Sequence, residues 1–350
     1  MTRRVTIVDI AARVGVHFTT VALALKGSPR VKAATRDKVR AMAQEMGYVP
    51  DPMLSAFSAY RKAQKPVNYR ETLAWVTTYP TQDGWRLGAF KVFHQGAEKR
   101  AAELGYRLEQ FWLKEPGMSP KRATTVLSSR GVRGLLIAPL PTAHGHLNLD
   151  WNLFSSVTFG FTLMRPRLHT VITTHYQDVI TAIRHLKTLG HHYLGWANSR
   201  KVDERVSRQW KAGFWSEMQA LPPERQIPLF SSDPFEKREF LAWFERYHPD
   251  AILTSDPHQC GALILKWLKE AGYSVPKDVS VVAVNIQEEG IFSGMKEPSL
   301  QIGEAAVDLL SNLIRDGKSG LPEYPSRLLI DGTWIEGQTV ARRLGIKRLR

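Results

Sequence analysis

The side chains best suited to chemistry in this sequence are basic, and they are concentrated at the two ends of the chain. Residues 1–70 carry thirteen Lys and Arg against four Asp and Glu, and residues 341–350 add five basic residues and no acidic ones. Residues 71–340 are nearly neutral, although the chain as a whole has a net charge of +15. Lys and Arg neutralise phosphates, so a small basic unit joined to a neutral body indicates a nucleic-acid-binding module. A basic surface that is merely solvated is the alternative that charge alone leaves open.

Motifs for catalysis and metal binding are missing from the sequence. It contains no Gly-x-Ser-x-Gly elbow, Walker loop, Gly-x-Gly-x-x-Gly fingerprint or His-Glu-x-x-His motif. The single cysteine, Cys260, can form neither an internal disulfide nor a cysteine-based zinc site, and we expect it to be a small buried apolar residue. We therefore expect no enzyme activity, no cofactor and no metal.

Length and hydropathy indicate a protein of several folded units. The 350 residues exceed a typical domain of about 100–150 residues, and the hydrophobic content of 43% is ordinary for a globular chain. A membrane-spanning helix needs an apolar run of about 18 residues, and this sequence contains none. A secretory signal requires an apolar segment after its basic N-terminal residues, and this sequence has none there. We expect a soluble, cytoplasmic protein.

The first fifty residues have the pattern of a helix-turn-helix domain. Thr6 and Asp9 have the spacing of a capping box, which predicts a first helix over residues 7–13. A second helix is predicted over residues 18–25 and a third, amphipathic one over residues 35–46. In this arrangement the second helix enters the major groove of DNA.

A further short helix is predicted directly after this domain. Asp51 is a good N-cap, and Pro52 suits the first helical position. The helix contains Phe57, continues to Arg61, and gives way to a linker at Pro66.

From residue 71 the pattern changes to apolar strands that alternate with amphipathic helices. Such alternation predicts parallel, doubly wound sheets, in which ligands bind beyond the carboxyl ends of the strands. Strands are predicted at residues 72–78, 107–113, 134–139, 156–160, 193–197, 251–255, 280–284 and 327–331. Helices are predicted at residues 90–104, 120–130, 178–189, 209–220, 236–247, 260–271 and 303–315.

Three strings within the first fifty residues are specific enough to indicate a family. They are T-I-V-D-I-A-A-R-V-G-V, T-V-A-L-A-L-K-G and T-R-D-K-V-R-A-M-A-Q-E-M-G-Y-V-P. These strings closely resemble the DNA-binding headpiece of the lactose/galactose repressor (LacI/GalR) family of bacterial regulators. Segments such as R-G-V-R-G-L-L-I-A-P and P-D-A-I-L-T-S-D extend the resemblance over nearly the whole chain.

The resemblance implies the domain organisation. It implies an all-α helix-turn-helix headpiece plus an α/β core of two doubly wound lobes, like a periplasmic sugar-binding protein, which dimerises. We therefore expect a DNA-binding domain at residues 1–50, a hinge helix and linker at 51–70, a two-lobed effector-binding and dimerisation core at 71–340, and a basic tail at 341–350.

The resemblance also implies which residues contact DNA. Phe18 and Thr19 hold the family's base-reading positions, with packing inside the headpiece as the alternative for Phe18. Leu23 replaces an arginine of the family, so thymine methyl contacts and DNA shape must carry more of the specificity. Phe57 holds the position of a leucine that wedges into the minor groove, with packing on the hinge partner as the alternative. The predicted DNA-contacting residues are Thr6, His17, Phe18, Thr19, Thr20, Leu23, Lys26, Arg30, Met53, Leu54, Phe57 and Arg61.

The family's ligand positions are only partly retained. Trp210 replaces an arginine of the family, Asn285 replaces an aspartate, and Asp256 matches an acidic residue. Trp85 and Arg86 lie in a loop where the family lines its cleft. An indole with an amide and a carboxylate suits a neutral saccharide. The alternatives are core packing for the tryptophans, a turn for the asparagine and a helix cap for the aspartate.

Two functions remain open. The first is a dimeric, ligand-controlled transcriptional repressor of sugar-utilisation genes that binds a pseudo-palindromic DNA operator. The second is a cytosolic sugar-binding or sugar-processing protein with a basic appendage. The headpiece strings and the proline-started hinge favour the first, because an enzyme needs neither.

Overall fold

The fold consists of three N-terminal helices followed by an α/β body of two lobes. The computed structural model describes residues 5–25, 27–28, 31–48, 71–86, 89–255 and 257–343. Among the described helices, none alone is long and apolar enough to cross a membrane. The first two helices together are long and apolar enough, but they meet at an angle of 106°.

The N-terminal domain encloses its own small core. Its helices are α1 (Ile7–Val14), α2 (Phe18–Leu25) and α3 (Ala33–Glu45). The predicted capping box is confirmed: the Asp9 amide donates to Thr6 Oγ1, and the Thr6 amide donates to Asp9 Oδ2 at 2.8 Å. One face of each helix packs inward, as the periodicity predicts, and the fully buried side chains are Ile10, Val21, Ala24 and Val39.

The first lobe is a parallel sheet with helices on both faces. The strands are β1 (Glu71–Thr77), β2 (Tyr106–Trp112), β3 (Gly134–Ile137), β5 (Ser155–Phe159), β7 (His169–Thr173) and β13 (Arg327–Ile330), beside a small pair β4 (Gly145–His146) and β6 (Leu163–Arg165). The helices are α4 (Ala89–Glu103), α5 (Pro120–Ser129) and α11 (Ser299–Arg315). The strand order in the sheet is β13-β7-β5-β3-β1-β2. Helices α4 and α11 cover one face, and α5 covers the other.

The second lobe repeats this plan. The strands are β8 (Leu194–Ser199), β9 (Phe230–Ser232), β10 (Ala251–Thr254), β11 (Ser280–Ile286), β12 (Ser293–Lys296) and β14 (Thr333–Ile335). The helices are α6 (His175–Thr188), α7 (Arg200–Arg205), α8 (Gln209–Gln219), α9 (Lys237–Tyr247) and α10 (Ala262–Glu270). The strand order in the sheet is β14-β12-β11-β10-β8-β9, and only β14 runs antiparallel to its neighbour. Helices α6 and α8 pack on one face, and α9 and α10 on the other.

Three crossovers connect the lobes, at residues 173–175, 296–299 and 330–333. Asp178, in the first turn of α6, ties the first crossover to the third. Its carboxylate accepts hydrogen bonds from Thr173 Oγ1 at 2.9 Å and from the Gly332 amide at 3.0 Å.

All strands and helices predicted between residues 72 and 331 are present, with boundaries shifted by a few residues. The largest shift at a helix start is in α11, which begins at Ser299 instead of residue 303. Helix α6 begins at His175, three residues before the predicted start at residue 178, so Asp178 lies in the first turn of the helix. Cys260 is 2% exposed, so the prediction of a buried cysteine is confirmed.

Candidate functional site

The start of α2 presents an exposed, mixed polar and aromatic surface. His17, Phe18 and Thr19 are exposed, and Phe18 retains 45% of its accessible surface. His17 Nδ1 lies 2.8 Å from Thr19 Oγ1 and accepts a hydrogen bond from the Thr19 amide, so the histidine side chain caps this helix start. Leu23 is 37% exposed, while Val21 is fully buried. The exposed residues are therefore available for contact with a ligand as large as a DNA duplex.

The other predicted DNA-contacting residues have different placements. Thr6 is exposed, but its hydroxyl is engaged with Asp9 in the cap of α1. Thr20 is half-buried. Six further residues lie outside the described part of the chain, namely Lys26, Arg30, Met53, Leu54, Phe57 and Arg61.

A cavity of about 740 Å³ lies between the two lobes, at the carboxyl ends of their strands. Tyr79 follows β1, the segment from Gly160 follows β5, and Asn285 lies at the end of β11. This is where the strand alternation predicts a ligand. Further lining residues are Phe90, Phe93, Pro139, Pro141, Phe161, Thr162, Ile172, His175, Val202, Arg205, Val206, Trp210, His258, Gln259, Gln287, Glu288 and Glu297.

Trp210 and Asn285 both line this cavity, as the sequence predicts for effector-binding residues. Trp210 is only 3% exposed and also packs in the core of the second lobe, so the two interpretations of this tryptophan are compatible. Its ring lies 4.8 Å from the His175 ring, edge to face. Within the described residues, Trp210 Nε1 and Asn285 Oδ1 have no hydrogen-bond partner. Both residues therefore carry a buried polar atom that the described residues leave unpaired.

Trp85 and Arg86 do not line the cavity. The structure places Trp85 in the core of the first lobe, 1% exposed, with its ring 5.5 Å from Trp75 and 4.9 Å from His94. The turn after β1 folds the large indole inward, where its burial stabilises the lobe. Arg86 is directed to solvent and binds Asp83 at 2.8 Å. Asp256, the remaining predicted effector residue, lies outside the described part of the chain.

Arg205, which sequence reasoning missed, lines the cavity and bridges the two lobes. It belongs to α7 of the second lobe, but its partners belong to the first lobe. Its Nη1 donates a short hydrogen bond to the Pro141 carbonyl oxygen, and its guanidinium lies 5.9 Å from the Phe90 ring centroid. It also forms a hydrogen bond with the Tyr79 side chain; burial raises the pKa of Tyr79, and this arginine opposes the shift. No sequence motif marks Arg205, because its partners are distant in the chain.

Three titratable groups near the crossovers have shifted pKa values because they are buried. Burial lowers the pKa of His175 to about 3, so its imidazole is neutral at physiological pH. Burial raises the pKa of Asp178 to about 6, although hydrogen bonds from Gly332 and two threonines oppose the rise. Burial also raises the pKa of Glu297, on the cavity wall, to about 7. The predictions did not include His175 or Glu297, since burial cannot be read from residue type.

Comparisons with known proteins match both parts of the chain. Residues 6–51 match the profile of bacterial regulatory proteins of the lacI family, and residues 183–340 match a periplasmic binding protein-like domain. A transcriptional repressor named PurR from Aliivibrio fischeri is 24% identical over 89% of this chain and 92% of its own length. The lactose operon repressor of Escherichia coli is 24% identical over 88% of this chain and 84% of its own length.

Solved structures show the same fold. The lac repressor dimer bound to operator and an anti-inducer matches with a TM-score of 0.55 and 19% identity, covering 97% of this chain and all of that chain. A complex of the regulator CelR with cellobiose matches with a TM-score of 0.55 and 19% identity, covering 96% of this chain and all of that chain. With its lacI-type headpiece and its periplasmic binding protein-like core, the chain belongs to the LacI family of bacterial transcriptional regulators.

Proposed function

We propose that this regulator is a ligand-responsive repressor that binds a pseudo-palindromic operator as a dimer and takes a neutral saccharide between its lobes. It acts in the cytoplasm on genes for sugar utilisation. The observation that carries the proposal is the combination, in one chain, of an exposed helix start on a basic headpiece and a cavity lined from both lobes.

The headpiece surface supports DNA binding. An exposed phenyl ring at Phe18 suits contact with a thymine methyl group, and the neighbouring hydroxyl and imidazole suit base edges or phosphates. The family relationship supports dimerisation, because a structure similar to this chain is a lac repressor dimer on its operator. A protein with two-fold symmetry reads two related half-sites.

The cavity supports a saccharide effector. Trp210 offers an aromatic surface, and Asn285 offers a polar group without a partner among the described residues. Sugar rings combine an apolar face with several hydroxyls, so these side chains match both parts of such a ligand. CelR, a regulator with a similar fold, was solved with cellobiose.

The test compares the full chain with a variant that lacks residues 1–65. We expect the full chain to shift operator DNA in a gel, with an affinity that falls steeply as salt rises, because phosphate neutralisation releases counterions. The shortened chain is expected to lose DNA binding while remaining a folded dimer by sedimentation. A neutral saccharide is expected to change the shift of the full chain.

Each part of the proposal has its own contrary result. Sequence-specific binding by the shortened chain would place DNA recognition outside the headpiece. A monomer at the concentration that binds DNA would contradict the dimer. A shift that no neutral saccharide changes would leave a DNA-binding repressor with a different effector.

A further inference from the structure

Glu297 is a buried carboxyl group on the wall of the interlobe cavity. It is 6% exposed and lies in the second crossover, residues 296–299. One of its oxygens, Oε2, accepts a hydrogen bond from Ser299 Oγ at 2.8 Å. Buried carboxylates are normally paired with a cation, yet in the described part of the chain no Lys or Arg forms an ion pair with Glu297. No cation of the described residues therefore neutralises this carboxyl group by direct contact.

The charged groups around Glu297 are mostly acidic. Asp178, from α6, contributes a negative charge behind it, and Asp331 of the third crossover adds to the charge at Asp178. The neighbouring Lys296 is engaged with Glu289. From the cavity side the titratable residues are Tyr79, His175, Arg205, His258 and Glu288. Arg205 is committed to Tyr79 and Pro141 of the first lobe.

Two further residues of this wall carry buried polar atoms without a partner. Trp210 Nε1 and His175 Nδ1 have no hydrogen-bond partner among the described residues, and both side chains are 3% exposed. Both residues line the same cavity as Glu297. A buried polar atom without a partner is costly, so this wall holds polar groups that the described residues leave unpaired.

We propose that Glu297 binds effector hydroxyls as a carboxylate and releases its proton to solvent when it does so, which makes effector binding dependent on pH. This inference rests on the proposed saccharide effector. Two vicinal hydroxyls can donate to one carboxylate, and such charge-assisted hydrogen bonds are about twice as strong as neutral ones. Because Glu297 lies in a crossover, the occupant of the cavity contacts a segment that joins the lobes.

The electrostatics of the site support this coupling. Burial raises the pKa of Glu297 to about 7; the Ser299 hydrogen bond opposes the rise, and the charge of Asp178 adds to it. At pH 6 the group is mainly protonated, and at pH 8 it is mainly a carboxylate. If the effector binds only the carboxylate form, its affinity rises about tenfold between these pH values.

The experiment measures the dissociation constants of glucose, lactose and cellobiose for the full-length protein at pH 6, 7 and 8, by tryptophan fluorescence. For the saccharide that binds, we expect about tenfold tighter binding at pH 8 than at pH 6. Glu297→Gln keeps the shape and can still accept the Ser299 hydrogen bond, and its affinity is expected not to vary with pH. His258→Gln removes another titratable group of the cavity and is expected to keep the parent's pH dependence.

Calorimetry in phosphate and Tris buffers provides a second measurement. It is expected to show proton release on saccharide binding by the parent at pH 6.5 and none by Glu297→Gln. Asp178→Asn, which keeps Glu297, is expected to move the pH dependence to lower pH. Binding with equal affinity at pH 6 and 8, or a pH dependence that survives in Glu297→Gln, would overturn the role of Glu297 while leaving the saccharide effector intact. No binding of any of the three sugars at any pH would contradict both proposals.

Discussion

At the start of α2, Phe18 leaves 45% of its surface exposed, whereas Val21, almost one turn further along, is fully buried. Burying a phenyl side chain is worth roughly 1.5–3 kcal/mol, so an exposed one contributes little to the stability of the headpiece. The two residues share one short helix and differ in the surface that they serve. They therefore allow recognition to be separated from folding.

Replacing Phe18 with Ala is expected to weaken operator binding at least tenfold, because a lost base contact costs on the order of 1 kcal/mol or more in each of the two half-sites. The unfolding free energy of the headpiece is expected to change by less than about 0.5 kcal/mol. Val21→Ala is the matched variant, and its expected loss of stability is on the order of 1–3 kcal/mol. Fluorescence anisotropy on DNA and thermal unfolding measure the two quantities. A Phe18→Ala protein that binds like the parent would assign this ring to another role.

At the scale of single residues, the sequence predicts part of the candidate site. Trp210 and Asn285 line the cavity, where the family's ligand positions place both of them. Trp85 was expected at the cleft but belongs to the first-lobe core. The prediction failed because residue type and loop position do not determine which way an indole points. Arg205 and Glu297 were missed because their environment comes from segments distant in the chain.

At the scale of elements, α4 and α11 pack closely in the first lobe. A Cβ atom at Gly303 of α11 would lie 2.0 Å from the Phe93 carbonyl oxygen, and one at Gly96 of α4 would lie 2.1 Å from the Leu300 carbonyl oxygen. Ion pairs of Lys99 with Glu304 and of Arg100 with Asp308 flank this contact. The helices approach each other this closely only because both positions lack a side chain.

Gly303→Ala is therefore expected to destabilise the protein by on the order of 1–3 kcal/mol, since backbone must move to admit the methyl group. Gly290→Ala is the control, because a Cβ there meets no atom within 4 Å. Its expected effect is within about 0.5 kcal/mol. Urea unfolding followed by circular dichroism measures both. Equal stability of the two variants would contradict the close packing of α4 on α11.

Asp178 predicts how the stability of the core depends on pH. Burial raises its pKa to about 6, from an ordinary value of about 3.9. The folded state thus holds the proton more tightly than the unfolded chain, and this contribution is lost as pH rises through 6. Two pKa units correspond to roughly 3 kcal/mol.

The variant Asp178→Asn tests this contribution. The difference in unfolding free energy between Asp178→Asn and the parent is expected to shift in favour of the variant from pH 4.5 to pH 7.5, because the amide cannot ionise. The exposed residue Asp150 provides the control variant Asp150→Asn. Urea titrations at the two pH values supply the comparison. The same pH dependence in the parent and in Asp178→Asn would show that this carboxyl group does not oppose folding at neutral pH.

Long elements were more predictable than short ones. Long amphipathic helices and apolar strands were found because one buried face imposes a period on the sequence. Short strands such as β9, β12 and β14 were missed, since three or four residues carry little periodicity. Strand β12 also contains Gly294, which contributes no side chain to a strand pattern.

At the scale of the whole molecule, three crossovers join the lobes, and the cavity lies beside them. Arg205 connects the lobes at the cavity wall, and Asp178 connects two of the crossovers. A ligand that contacts both lobes shifts their relative arrangement when it binds one arrangement of the lobes more tightly than another. In the proposed dimer, this shift would alter the spacing of two headpieces and so the affinity for two half-sites.

Selection of binding sites from random DNA by the full-length protein tests this account most directly. The selection needs no knowledge of the operator or of the effector. We expect enrichment of an inverted repeat, with two related half-sites at a fixed spacing, and an affinity for it at least a thousandfold above that for random DNA, about the lower end for specific regulators. A pool without any enriched sequence, or with a single unpaired site, would contradict a dimeric operator-binding regulator.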